Sequence, residues 1–387
     1  MKNKSDRTSG HTNYPDDLEI LDLENAQMPA EYPEGDDPES YDAEPEEEQD
    51  DSGRRDKRPR KGIRRFLNIH ILFLVLVLAI VGLIFFRLTH WGQKIDLDDY
   101  FKTHEEITQG RDTFDVLCSL KDEDGRLIAN KAPHTILFFG NNPLADDRDS
   151  ENNLANIIAR KSGSTVYNCS VGGSYLTSRS TFVKDNDTGL DVYNFYWLIL
   201  SLVCRDNDDV NYFTWLRENP AATILPETDY VEQTLMTIDM NTVDTICIFY
   251  DGSDYLAGSS FNNGAKANDI CSFTGNLEAG LDELQEKFPH IRIIVMSPTY
   301  AFGIDDNGEY ISSDIKTYGD VHLSDYVIKE CEIAAMRNVT FIDNLYGTFN
   351  EDEAPEYLTD NLHLNQAGRE KVADRFIRAL TYYDNIK

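Results

Sequence analysis

Asp360 and His363 lie three residues apart in the run Asp360-Asn361-Leu362-His363-Leu364-Asn365. A carboxylate at that spacing can hold one imidazole nitrogen. The tautomer is then fixed, and the other nitrogen faces a cleft as a general base. Acyl transfer by such a dyad also needs a nucleophile and donors for an oxyanion. Ser170, Ser174 and Ser253 are candidate hydroxyls, although each taken alone is better explained as a turn residue bonding its own backbone. The acidic run Asp146-Asp147-Arg148-Asp149-Ser150-Glu151 has oxygen ligands that would suit a hard cation. The plainer reading is a charged loop, with Asp149 or Ser150 capping a helix over 151–161 and Arg148 paired among the acids. That reading is adopted, so no metal site is expected. No Cys-x-x-Cys or Cys-x-x-His spacing points to zinc, and no cofactor is expected.

These residues need a scaffold to bring them together. From Asn365 to Tyr382 the pattern is that of an amphipathic helix, with Leu362, Leu364, Val372, Phe376, Ile377 and Leu380 on its apolar side. Upstream, short apolar runs typical of buried parallel strands recur at Thr135–Phe139, Thr165–Asn168, Thr245–Tyr250, Ile291–Ser297 and Val339–Asp343. Helical patterns lie between them at Glu151–Lys161, Val192–Cys204, Thr274–Phe288 and Ser324–Arg337. Strands alternating with helices predict an α/β fold, a flavodoxin-like three-layer parallel sheet whose site sits at the strands' C-terminal ends. Residues 175–240 and 300–322 exceed what simple crossovers need and are expected at the rim of a cleft.

In four short blocks across roughly 133–385, the chain resembles the SGNH (GDSL-like) hydrolase family. Asp360 and His363 match the family's last block, an Asp-x-x-His before a helix. Asn168-Cys169-Ser170-Val171-Gly172-Gly173 compares with the second block, Asn-x-Gly-x-x-Gly. The resemblance makes Gly173 the residue whose backbone N–H lines the oxyanion hole. Asp251-Gly252-Ser253-Asp254 compares with the third block, Gly-x-Asn-Asp, putting Ser253 where the family has an asparagine donor. The first block departs most. The family's Gly-Asp-Ser nucleophile turn is here Gly140-Asn141-Asn142, and Asn142 cannot form an acyl-enzyme. Gly140 and Asn142 are then expected to position a substrate. Three readings stay open: a binding domain that has lost covalent catalysis, a His363-activated water, or a displaced nucleophile at Ser253, Ser170 or Ser174. By resemblance the substrates are esters, O-acyl groups on envelope polysaccharide. The alternative is a non-catalytic glycan-binding or scaffold domain.

Charge and hydropathy divide the 387-residue chain further. Residues 1–53 are rich in Asp, Glu, Pro and Ser; the first 52 alone carry a net −15. They hold too little apolar surface to offset chain entropy, and a disordered acidic tail is expected. Residues 54–65 form a basic run, and Phe66–Phe86 is an uncharged 21-residue stretch, long enough to cross a membrane as a helix. The positive-inside rule predicts a single-pass anchor with its N-terminus cytoplasmic and its C-terminal domain extracytoplasmic. Residues 87–131 are a polar lead-in, and 132–387 the α/β domain. From residue 66 onward the net charge is −25, which argues against nucleic acid and anionic lipid as partners of the domain; the membrane is expected as a partner through the one spanning helix, and envelope polysaccharide as substrate or ligand. Cys118, Cys169, Cys204, Cys247, Cys271 and Cys331 could form up to three disulfides on an oxidising side, but are read as thiols, mostly buried.

Overall fold

The computed structural model describes residues 113–121, 128, 132–185, 188–207, 212–262 and 268–384. The acidic tail, the basic run and the segment 66–86 lie outside the described residues, as does most of 87–131. Among the described residues, no helix is long and apolar enough to cross a membrane.

Five strands form one parallel sheet: β1 (Thr135–Gly140), β2 (Thr165–Asn168), β3 (Thr245–Phe249), β4 (Arg292–Met296) and, after a hairpin, β7 (Thr340–Ile342). Their order is β2-β1-β3-β4-β7. This is the flavodoxin-like arrangement, with its switch point between β1 and β3. Every residue of β3 and β4 is buried, so helices must cover both faces. On one side α1 (Leu154–Ser162) packs on the last helix, α5 (Gln366–Thr381). The other group is α2 (Phe195–Val203), α3 (Phe273–Lys287) and α4 (Leu323–Met336). Phe376 of α5 meets Phe138 of β1 at 5.4 Å between ring centroids, so the apolar stripe read from 362–380 does reach the sheet. The hairpin of β5 (Phe302–Ile304) and β6 (Tyr310–Ser312) occupies the long segment 300–322.

Two expected helices are shorter than their patterns, each because a side chain satisfies the backbone early. The helix expected from Glu151 begins at Leu154, and its cap is Asn153, not Asp149 or Ser150. Asn153 Oδ1 accepts the N–H groups of Ala155 and Asn156 at 2.9 and 3.3 Å. The pattern over Val192–Cys204 is split at Asn194 into a 3₁₀ turn (Leu190–Tyr193) and α2. Asn194 accepts the Tyr175 N–H and donates to Thr177 O and Asp191 Oδ1, which holds its backbone extended. Lead-in residues 113–121 run along the free edge of β7, where Val116 and Phe341 exchange backbone hydrogen bonds of 2.9 and 2.8 Å. An open sheet edge is thereby covered. No disulfide joins the six cysteines; Cys169, Cys247 and Cys331 are buried thiols.

At the opposite end of the sheet from the turns just after β1 and β3, His134 precedes β1 and is 1% exposed. Its ring nitrogens lie 3.1 Å from Asp244 Oδ1 and 3.2 Å from Asp384 Oδ2. The hydrogen bond to Asp244 raises its pKa above the ordinary value; burial opposes this, and Asp384 adds to it. A folded-state pKa above the unfolded one stabilises the fold fully below the unfolded pKa, and that contribution fades as pH rises through the folded one. The urea midpoint of the protein should therefore fall as pH rises above the ordinary imidazole range, and that fall should be smaller in His134→Gln, where other raised groups such as His363 still contribute. Equal pH slopes in the two proteins would show that the imidazolium contributes nothing.

Candidate active site

The strand ends explain why four distant blocks meet. β1 ends at Gly140 because its register with β3 leaves no room for a side chain: a Cβ there would lie 2.1 Å from the Phe249 carbonyl oxygen. Its own carbonyl accepts the Val171 N–H at 2.9 Å, joining the first block to the second. Gly140 thus acts between strands, which is a different part from the substrate positioning expected of it.

The two asparagines that follow are both buried. Asn141 donates through Nδ2 to Ser174 O at 3.0 Å and to Asp251 Oδ1 at 2.8 Å, and accepts the Asp251 N–H. Asn142 donates through Nδ2 to Asp251 Oδ2 at 2.8 Å, with a 3.5 Å contact to Ser253 Oγ. Its Oδ1 accepts the Gly173 N–H at 2.8 Å. The N–H that the resemblance assigns to an oxyanion therefore already has an acceptor, the amide oxygen of Asn142. Gly173 has φ +72° and open space where a Cβ would stand. Its glycine is required by the left-handed backbone and not by close approach.

Asp251 is the hub that sequence reasoning missed. It is 3% exposed and accepts from Asn141, Asn142 and the Ser253 N–H at 3.0 Å. Its signal was present: a carboxylate stands where the third block has glycine, opposite two consecutive amides after β1. Two carboxylate oxygens and two amide groups satisfy one another, and a buried carboxylate needs such partners.

The dyad forms as read. His363 Nδ1 lies 2.7 Å from Asp360 Oδ2, and Asp360 Oδ1 accepts the N–H groups of His363 and Leu362 at 2.7 and 2.8 Å. Burial disfavours the Asp360 anion, but these donors hold its pKa below the ordinary value. For His363, burial works against the imidazolium. The Asp360 bond and the charges of Asp360, Asp146 and Asp251 outweigh it, so its pKa is raised. Among the described residues, no partner hydrogen-bonds to Nε2, which faces outward from a side chain 38% exposed. The loop is tied down on both flanks. Asn361 exchanges hydrogen bonds with Phe302 of the hairpin at 2.8 and 3.1 Å, and Leu362 Cδ1 would lie 3.4 Å from a Cβ on Gly252.

The other serines are engaged elsewhere. Ser170 Oγ donates to Asn168 Oδ1 at 2.6 Å, and Ser174 Oγ to Val171 O at 2.8 Å. Both are buried turn hydroxyls. Arg148 is not paired with acids; it donates to the carbonyls of Asn168 and Ser170 and holds the second block from behind. A guanidinium can serve several carbonyls, and that geometry prevailed over pairing along the sequence. Asp147 instead receives Arg369 at 2.6 Å. Asp146 is raised by burial and by the Asp251 charge, against the pull of His363 and Arg369. Among the described residues, no three His, Cys, Asp or Glu side chains are placed to hold a metal ion. Asn168, within a glycosylation pattern, is buried and donates to Leu144 O at 2.9 Å.

No family model matches the chain, and no curated protein matches it. Among solved structures, it is similar to a Lactobacillus plantarum protein (17% identity, TM-score 0.44, 67% of this chain and 99% of that one). A possible lipase from Chitinophaga pinensis matches at 13% identity and TM-score 0.40, over 64% of this chain and 98% of that one. A carbohydrate acetylesterase from Sinorhizobium meliloti matches at 9% identity and TM-score 0.37, over 64% and 99%. The strand order is that of a flavodoxin-like α/β fold, and the turns above β1, β2 and β3 with the Asp-x-x-His loop before the last helix stand where the resemblance to the SGNH hydrolases places its four blocks.

Proposed function

We propose that this domain binds a carbohydrate of the cell envelope and does not turn over esters through a serine. One observation carries the reading: the Asn142 amide bridges Asp251 and Gly173, filling the place where a nucleophile and an oxyanion would meet. A buried carboxylate at that place would also repel a developing oxyanion, so the electrostatics run against acyl transfer. The Asp360–His363 pair and Ser253 are partly exposed and suit the hydroxyls of a sugar. The ligand class, O-acylated polysaccharide, follows from the family resemblance. To test it, an O-acetylated oligosaccharide is titrated into the full-length chain while free acetate is followed. Saturable binding without acetate release is expected; no saturable binding, or steady release that is lost on Ser253→Ala, would defeat the reading.

A second reading, attack by water activated on His363, is favoured by the open Nε2. It requires neutral imidazole, so release would climb with pH through the raised pKa of His363 and vanish in His363→Ala.

We further propose that Phe66–Phe86 anchors the chain, with residues 54–65 cytoplasmic and the domain extracytoplasmic. This rests on hydropathy and charge asymmetry. Protease added to intact cells should digest residues 100–387 and spare the tail. Full protection of the domain would overturn the orientation.

A further inference from the structure

Apart from the dyad there is a cavity of about 330 Å³, lined by Tyr175, Thr177, Ser178, Arg179, Ser259 and Ser260, with Ala257 and the Cys271 thiol. This is within the size range of small-ligand pockets. It begins one residue after Ser174, whose carbonyl is bonded to Asn141 of the site already described. We propose that it is a subsite for the anionic group of an acidic saccharide, a uronate carboxylate or a sugar phosphate, with Arg179 as its main recognition residue.

Three observations support this. First, the wall is pre-organised by buried acids that use up its backbone donors. Asp254 accepts the N–H groups of Leu176 and Thr177, and Asp191 those of Arg179 and Ser180. Both carboxylates lie behind the loop, turned to its backbone. Second, the Arg179 guanidinium is held over the Tyr175 ring, 5.1 Å from its centroid, yet has no carboxylate or carbonyl partner among the described residues. In a domain this acidic the contrast is informative. Arg217, Arg337, Arg369 and Arg375 all meet carboxylates, and Arg148, Arg205 and Arg292 meet carbonyls. A guanidinium stacked on an aromatic face keeps its fork of donors for a planar or tetrahedral anion. Third, although Thr177 and Ser259 are spent on Asp254, Ser178 Oγ accepts from Asn276 and keeps its own proton, and with the Ser260 hydroxyl it can complete an oxyanion's hydrogen bonds. The carboxylates of Asp146, Asp251 and Asp360 near His363 would repel the same group, so a bound acidic sugar is given one orientation across the two sites.

The orientation rests on the carbohydrate-binding reading above, whereas the anion subsite does not. The full-length chain is titrated with a galacturonate trisaccharide, a galactose trisaccharide and a galactose phosphate. At least one acidic ligand should bind tenfold or more tightly than the neutral one. Carboxylate over phosphate, or the reverse, identifies which source fits. In Arg179→Ala the preference should shrink to within twofold, and Arg179→Lys should retain part of it. Equal affinity for acidic and neutral sugars, or a preference that survives Arg179→Ala, overturns the subsite.

If no saccharide binds, the carbohydrate reading fails, and the subsite is judged by Cys271 alone. Iodoacetamide labelling of Cys271, resolved by peptide mass, should slow at least threefold with galacturonate or inorganic phosphate in the unmodified protein and not in Arg179→Ala. Unslowed labelling overturns the subsite as well.

Discussion

Asn142→Ser should convert a protein that serine-directed phosphonates do not label into one that they do, and should raise aryl acetate hydrolysis about 100-fold. The substitution has two coupled effects. It supplies a hydroxyl where the resemblance places the nucleophile, and it withdraws the amide oxygen that occupies the Gly173 N–H. A nucleophile with its general base typically contributes on the order of 10²–10⁴. The lower end is expected, because Asp251 remains beside the nascent oxyanion and opposes it. Asn142→Ser with Asp251→Gly should therefore react faster than Asn142→Ser alone. In both variants the rate should climb with pH, since the base must be neutral and the acids around His363 hold its pKa above the ordinary value. Strong labelling of the unmodified protein, lost on Ser253→Ala or Ser174→Ala, would show instead that the nucleophile has moved.

Asp251→Ala should cost about 3–5 kcal/mol of folding stability, measured as a shift in the urea midpoint. The residue is buried, and its removal strands three donors at once: Asn141 Nδ2, Asn142 Nδ2 and the Ser253 N–H. Each buried donor left without an acceptor costs roughly 1–3 kcal/mol, and local relaxation with water entry recovers part of that total. Asp251→Asn keeps one acceptor oxygen and should lose about half as much. If Asp251→Ala were as stable as the parent, the carboxylate would be ornamental and the reading of Asn142 as a built-in plug would lose its anchor. Asn142→Ala should cost less, because only Gly173 N–H and one Asp251 oxygen lose a partner.

Which parts of this molecule were legible in the sequence follows from how local their causes are. The five strands of the parallel sheet were found to within a residue or two, since buried parallel strands read as apolar runs whatever they pair with, whereas the short, partly exposed hairpin of β5 and β6 was read only as a long loop. The Asp360–His363 bond was legible because both partners lie on one tight turn, where spacing alone sets the distance. The start of the last helix was too: Asn365 caps it by accepting the Gly368 N–H three residues on. Where the cause was distant, the sequence misled. Asn153, and not a nearer acid, caps α1, partly because its amide also reaches the carbonyls of Leu144 and Asp146. Arg148 ignores its acidic neighbours for carbonyls about 20 residues away.

The first, second and third blocks each showed a deviation, and nothing along the chain revealed that the deviations compensate one another. Asn141 and Asn142 are about 110 residues from Asp251, and Asn142 is 31 from Gly173. The sequence by itself determined the class of fold, the end of the sheet where a site must lie, and the presence of a base with its carboxylate. Only the tertiary structure decided that the apparent gap at the nucleophile is closed by an amide, its two hydrogen bonds and a buried carboxylate. The reason is physical: a strand end fixes where a side chain starts, but which distant donor or acceptor satisfies it depends on what the folded chain brings within about 3 Å.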